Sequence, residues 1–153
     1  MPLTIKRDDL SGAPIRALLQ EHLLHMHSLS PPESVHALDL SGLKAPAVTF
    51  WTIWDGDELV GCGALKALDA RHGEVKSMRT TASRRRTGAG RAMLEHILAE
   101  AQARGYARLS LETGSMDAFA PARTLYASHG FVECAPFGDY REDPNSTFMT
   151  RAL

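Results

Sequence analysis

A turn punctuated by glycines, Gly88-Ala89-Gly90, separates a strand-like run from an amphipathic helix pattern, and Arg84, Arg85 and Arg86 come just before it. The first N–H groups of a helix have no partner within the helix, and the helix dipole adds positive potential there. Glycine also lets a ligand approach the backbone closely. The stretch therefore predicts an anion site, which we interpret as a cradle for a pyrophosphate.

Two familiar phosphate-binding motifs fit this turn poorly. A P-loop places Lys and Ser or Thr directly after its last glycine, whereas Arg91 and Ala92 follow here. A dinucleotide-binding motif needs a third glycine, and Met93 occupies that position. An antiparallel hairpin is also predicted upstream, where a Rossmann unit would have parallel strands. A Rossmann-like nucleotide-binding module remains a weaker alternative.

The composition is that of an ordinary globular domain. The chain has 153 residues with 44% hydrophobic and 23% charged residues, and the net charge of -1 does not favour binding to nucleic acid. We expect no membrane association, because no apolar run approaches the roughly 18 residues of a membrane span. Without a signal-peptide pattern, the expected location is cytoplasmic. The two cysteines, Cys62 and Cys134, lie in apolar runs and indicate buried thiols rather than a disulfide framework or a metal site.

Hydrophobic periodicity and turn residues predict alternating helices and strands. Asp55-Gly56-Asp57 is a hairpin signal between two strands, and Gly105 is a typical helix end. The strand after Gly105 should run parallel to the strand before the glycine turn, because a helix joins them. The predicted strands are 3–7, 48–54, 58–68, 74–81, 106–113, 131–135 and 147–153; the predicted helices begin near 13, 90 and 121, and residues 30–40 form a short helix or a loop.

Three motifs in the second half of the chain resemble the GNAT superfamily of N-acetyltransferases. The run Arg85-Arg86-Thr87-Gly88-Ala89-Gly90 is similar to the family's Arg/Gln-x-x-Gly-x-Gly/Ala signature. The strand from Val75 to Thr80 lies just upstream, as it does in the family. Further on, Leu125-Tyr126-Ala127-Ser128-His129-Gly130-Phe131 resembles the family's Leu-Tyr-x-x-x-Gly-Phe. All three occur in the family's order, within the predicted strand–helix–strand–helix frame.

The resemblance implies an α/β (α+β) fold, with one domain over residues 1–153. In this family a mixed, mostly antiparallel sheet carries helices on both faces, and two central parallel strands splay apart. By analogy the gap lies between the strands ending at Thr80 and Thr113. Acetyl-coenzyme A would be the co-substrate, with no metal. Its implied binding residues are Met78, Arg79, Thr80, Arg85, Arg86, Thr87, Gly88, Ala89, Gly90 and Arg91. The family often has an asparagine seven residues before the tyrosine, whereas Phe119 stands there in this chain.

The resemblance also implies catalytic roles. An alkyl amine with a pKa of about 10 is neutral in only about one molecule in a thousand at pH 7, so a base must take its proton. Glu74 resembles the family's common base position, although a solvated carboxylate at a strand end is the plainer interpretation. Glu112 is the second candidate for the base, and a water chain remains open. Tyr126 corresponds to the tyrosine that acts as general acid on the leaving sulfur.

The acceptor should bind where the chain departs from a minimal scaffold, in segments 30–40 and 136–146. Their acidic composition favours a cationic amine of a small molecule or a protein, with no nucleic acid or membrane partner; a homodimer is left open. His22, His25 and His27 lack acidic or cysteine partners at metal-ligand spacing. The alternative to an acetyltransferase is a non-catalytic domain that senses coenzyme A. The candidate acceptor-binding residues are Glu33, His36, Glu112, Phe137 and Tyr140.

Overall fold

A computed structural model describes residues 3–36, 38, 40–81 and 88–153. Within these residues one sheet of seven strands has the order β1-β2-β3-β4-β5-β7-β6. The strands are β1 (Leu3–Arg7), β2 (Val48–Asp55), β3 (Glu58–Ala67), β4 (His72–Thr80), β5 (Arg108–Gly114), β6 (Val132–Glu133) and β7 (Ser146–Ala152). The α-helices are α1 (Ala13–Leu29), α2 (Leu40–Leu43), α3 (Ala89–Ala103) and α4 (Ala120–Ser128).

The only parallel pair in the described sheet is β4 with β5, as the helical crossover through α3 predicts. Its register joins His72 to Arg108, Gly73 to Leu109 and Glu74 to Ser110. Both strands continue beyond these pairs, β4 to Thr80 and β5 to Gly114, without further pairing to each other. The two strands therefore separate after Glu74 and Ser110, which confirms the predicted gap.

A β-bulge in β4 changes which side chains share a face of the sheet. Cys62 of β3 pairs with Arg79, but Ala64 pairs with Lys76, so Ser77 and Met78 together oppose a single residue. Ser77 has the rare positive φ of 56°. Residues three apart in a regular strand point to opposite faces, whereas the bulge places Lys76 and Arg79 on the same face. That face is covered by α1, because Cys62 and Ala64 belong to the core cluster that α1 closes.

The opposite face of the sheet packs on α3. Met93, Leu94 and Ile97 of this helix are almost completely buried, as its amphipathic pattern predicts. A Cβ placed on Gly63 of β3 would lie 2.6 Å from Met93 Cγ, so the glycine lets helix and sheet approach closely. Helices thus cover both faces, and the expected fold class is confirmed.

Some predicted boundaries were wrong. The strand expected at 131–135 is reduced to Val132–Glu133, because Gly130 ends α4 with a φ of 87° and Phe131 turns into the core. The segment 30–40 contains a 3-10 turn at Pro32–Ser34 and leads into the short helix α2.

Both cysteines carry free thiols. No helix in the described ranges is both long enough and apolar enough to span a membrane.

Candidate active site

A cavity of about 820 Å³ lies where β4 and β5 separate. One wall comes from β4 (Val75 to Thr80), and the facing wall comes from β5 (Glu112 to Gly114). Helices α1, α3 and α4 each contribute residues to its lining. A volume of this size holds an elongated small molecule rather than a single ion or water. The separation of two strands has therefore produced a binding cavity within the sheet.

The first turn of α3, where the sequence predicts an anion cradle, forms one side of this cavity. Gly88 caps the helix with a φ of 91°, a conformation that glycine adopts without strain. The N–H group of Ala92 donates to the Gly88 carbonyl at 2.9 Å, so the preceding amides of the helix have no acceptor within it. Gly88, Ala89, Gly90 and Arg91 all line the cavity. Arg85, Arg86 and Thr87 lie outside the described residues.

Beside the cradle, the end of β4 presents Met78, Arg79 and Thr80 to the cavity, where the sequence predicted that the cofactor's arm would bind. The bulge takes Ser77 and Met78 out of the regular register, whereas Arg79 and Thr80 pair with Cys62 and Gly61 of β3. Gly90 of the cradle approaches it closely, because a Cβ there would lie 3.6 Å from Thr80 Oγ1. The cradle and the strand end thus form one continuous lining.

Tyr126 projects from α4 into the same cavity and is only 6% exposed. Its ring packs edge-on against Phe131, with the centroids 5.9 Å apart. Burial raises the pKa of Tyr126 well above its usual range, and the nearby charge of Glu112 raises it further. The phenol is therefore protonated at neutral pH and can act as a proton donor.

Glu112 lies on β5 and faces the cavity. Burial raises its pKa from 4.5 to about 7, an effect that the charge of Lys76 opposes and the charge of Glu74 reinforces. A carboxylate whose pKa lies near neutrality is suited to accept a proton at physiological pH. The cavity therefore contains one group poised to accept a proton and another, Tyr126, held as a donor.

The comparisons with known proteins agree with this geometry. The profile of the Acetyltransferase (GNAT) family matches residues 15–131. The chain belongs to the GNAT acetyltransferase family. It is 61% identical over 149 residues to the uncharacterized N-acetyltransferase YsnE of Bacillus subtilis (strain 168), covering 97% of this chain and 99% of that protein. It is accordingly an acyltransferase of the N-acetyltransferase type.

Solved structures of GNAT enzymes share the fold. A putative acyl-CoA N-acyltransferase from Klebsiella pneumoniae has a TM-score of 0.80 at 27% identity, with 99% of this chain and 97% of that chain covered. A GNAT family acetyltransferase from Elizabethkingia anophelis, solved with acetyl-CoA bound, has a TM-score of 0.68 at 16% identity, with 99% and 98% covered. Coenzyme A ligands thus occur in GNAT proteins of this architecture.

The first candidate for the base in this GNAT domain, Glu74, does not belong to the cavity lining. It is 2% exposed, so it is not the solvated carboxylate that its position at a strand end suggested. Its Oε2 accepts hydrogen bonds from the Tyr140 hydroxyl at 2.6 Å and from Lys76 Nζ at 3.2 Å. Lys76 Nζ also donates to the Tyr140 hydroxyl at 2.9 Å. Glu74, Lys76 and Tyr140 form a closed triangle, hereafter the buried triad.

The two segments expected to bind the acceptor are tied to each other beside the cavity. Ser34 Oγ donates to Asp143 Oδ2 at 2.6 Å, and Asn145 Nδ2 donates to Ser34 Oγ at 3.3 Å. Lys76 Nζ of the buried triad also donates to the carbonyl of His36 at 3.2 Å. The two segments therefore lie next to each other, and hydrogen bonds link them to one another and to β4.

The five candidate acceptor-binding residues divide into two groups. His36 and Glu112 line the cavity. Glu33 is exposed and lies outside the lining. Phe137 and Tyr140 pack against each other at 5.1 Å and are likewise absent from the lining. The two aromatic side chains therefore support the cavity from behind rather than bounding it.

Sequence reasoning missed several residues of the site. Phe119, which replaces the family's frequent asparagine, lines the cavity and covers Gly114, where a Cβ would overlap the aromatic ring. His22 lines the cavity from α1, on the side of the sheet to which the bulge turns the predicted cofactor-binding residue Arg79. The sequence could have indicated the pairing of Lys76 with Glu74, because residues two apart in a strand lie on the same face.

Proposed function

We propose that this GNAT-family acyltransferase moves an acetyl group from acetyl-coenzyme A to a primary amine of a small molecule or protein, by direct attack in a ternary complex. The observation that carries the proposal is the meeting of Glu112 and Tyr126 at the cavity between β4 and β5. One is an acid–base group with a pKa of about 7, and the other is a buried phenol. Direct transfer of an acetyl group between sulfur and nitrogen needs both kinds of group.

The donor would be held by the cradle and by the end of β4. The unpaired amides at the start of α3 suit the pyrophosphate, because they combine hydrogen-bond donors with the positive end of the helix dipole. Met78, Arg79 and Thr80 border the path from the cradle into the cavity. The thioester would then lie in the gap between the separated strands.

Glu112 is assigned the role of base in preference to Glu74. It would take the proton of the acceptor's ammonium group, and the freed nitrogen lone pair would form the new bond to the acetyl carbon. The carbon–sulfur bond then breaks, and Tyr126 gives its phenolic proton to the leaving sulfur. The new amide nitrogen loses its second proton, which restores the phenol of Tyr126. Glu74 has the less suitable position, because it lies behind the cavity wall and already accepts hydrogen bonds from Lys76 and Tyr140.

The direct test is release of free thiol from acetyl-coenzyme A in the presence of a panel of primary amines. The substitution Tyr126→Phe should lower kcat by about 10²- to 10⁴-fold, the usual contribution of general acid catalysis. Coenzyme A affinity, measured by calorimetry, should change little. Tyr106→Phe is a matched control, since Tyr106 is buried in the core away from the cavity lining. An unchanged kcat in Tyr126→Phe at saturating substrates would remove Tyr126 from the mechanism.

A further inference from the structure

The cavity contains a buried cation that takes no part in the proposed proton transfers. The side chain of Arg79 lines the cavity with only 9% of its surface exposed. Its Nη2 donates to Glu21 Oε1 of α1 at 3.0 Å, whereas its Nε is buried without a hydrogen-bond partner among the described residues. A buried N–H group left unpaired costs about 1–3 kcal/mol. Because Arg79 belongs to the cavity lining, its unpaired donor points to a ligand as the source of the missing acceptor.

His22 of α1 adds a second unpartnered group in the same place. It lines the cavity, is 9% exposed, and its Nδ1 has no partner among the described residues. Burial lowers its pKa to about 4, and the positive charge of Arg79, which lines the same cavity, lowers it further. His22 is therefore neutral at pH 7, with one N–H that can be donated. His25 lines the cavity beside them.

The chemistry of this pair selects its ligand. A guanidinium presents a planar fork of donors that matches a carboxylate, and charge-assisted hydrogen bonds of this type are the strong ones. Glu21 already occupies one arm of the fork with a carboxylate, and its own side chain is 54% exposed. The cavity has the opposite charge at β5, where Glu112 would receive a cationic amine. The cavity thus has a cationic part and an anionic part.

We infer that the acceptor is a small amino acid-like molecule whose carboxylate binds Arg79 and His22 while its amine faces Glu112. The inference rests on the proposed function and names the substrate class of that site. A carboxylate would provide the acceptor that Arg79 Nε lacks. A lysine side chain brings no carboxylate of its own, so a free amino acid-like molecule suits this pair of residues better than a lysine within a protein.

The test compares acceptors with and without the carboxylate. Phenylalanine, its primary amide and phenethylamine form one such set, and the same set can be built on other side chains. For at least one side chain, the carboxylate should exceed both neutral partners by about 10- to 100-fold in kcat/KM, the range expected for a charge-assisted hydrogen bond. The substitution Arg79→Gln should remove this preference by raising KM for the carboxylate far more than KM for the amide and the amine of the same set.

Glu21→Gln separates a ligand role from a structural one. If Arg79 only pairs with Glu21, then Glu21→Gln and Arg79→Gln should have the same effect. If Arg79 binds the acceptor, Glu21→Gln should not raise KM for the carboxylate, and Arg79→Lys should restore only part of the preference. Circular dichroism checks that each variant folds. Equal kcat/KM for acids and amides on every side chain would overturn this inference alone, whereas no thiol release with any amine would overturn the proposed function as well.

Discussion

Glu112 should make the folded protein less stable as the pH rises, and replacing this residue with glutamine should remove that loss of stability. The pKa is 4.5 for the ordinary side chain and about 7 in the folded protein, because burial disfavours the charged form. Between these values the folded state binds the proton and the unfolded state does not. The free energy of unfolding therefore falls as pH rises through this window, and above about pH 7 the full penalty applies.

The size of the effect follows from the shift. A difference of about 2.5 pKa units (about 7 minus 4.5) corresponds to about 3 kcal/mol at 1.36 kcal/mol per unit. Glutamine has nearly the same shape and no charge to desolvate. Glu112→Gln should therefore leave stability almost unchanged at about pH 4.5 and raise it by up to about 3 kcal/mol at about pH 8.

The assay is urea unfolding of the wild type and Glu112→Gln at both pH values, with kcat/KM measured on the same samples. Glu133→Gln is the matched control, because Glu133 is exposed on β6 and should alter neither quantity. In the wild type, kcat/KM should rise with pH through about 7. Glu112→Gln should lose that rise and about 10²- to 10⁴-fold of activity.

Two results would refute different parts of the reasoning. If Glu112→Gln shows no more stabilisation at about pH 8 than at about pH 4.5, the carboxylate is not desolvated as the structure indicates. If the variant is stabilised but retains the wild-type kcat/KM, the burial is real and the base is another group. A variant that is both more stable and less active would support the two roles together.

Three other substitutions test the supporting structure. Glu74→Gln should destabilise the protein by about 3–5 kcal/mol in urea unfolding, because it leaves the buried charge of Lys76 unpaired. A loss below about 1 kcal/mol would show that the buried triad contributes little to stability. Gly114→Ala should lower Tm, because the added Cβ would overlap the ring of Phe119. Adding Phe119→Ala should recover part of this loss in a double-mutant cycle, and simple additivity of the two effects would exclude the clash. Gly88→Ala should cost about 1–2 kcal/mol through its positive φ alone, since its Cβ would meet open space, and unchanged stability would contradict that strain.

Much of the fold was predictable because it depends on near neighbours in the chain. The hairpin at Asp55-Gly56-Asp57, the amphipathic face of α3 and its glycine cap are local patterns, and each lies where the sequence placed it. The parallel pairing of β4 and β5 follows from the crossover helix between them. The strand predicted at 131–135 was wrong in its bounds, because the burial of Phe131 outweighed the local preference of this segment for a strand.

The site was only partly predictable from sequence. Its cradle, its tyrosine and the position of the gap follow from motifs whose spacing sets local geometry. The resemblance ranked Glu74 above Glu112 because both are strand carboxylates and sequence does not show what surrounds them. In the structure, Tyr140 from a distant loop reaches Glu74, while the separated strands leave Glu112 on the cavity wall.

The sequence by itself determined the family, the sheet with its crossover, and the helix start suited to a pyrophosphate. These depend on periodicity, turn residues and short motifs, which act over a few residues. Only the tertiary structure decided which carboxylate faces the cavity and that a bulge at Ser77 turns Arg79 towards α1. It also decided that Arg79 Nε and His22 Nδ1, on two residues lining the cavity, have no hydrogen-bond partner among the described residues. Burial and side-chain encounter are set by segments far apart in the chain, and they determine the pKa of each group.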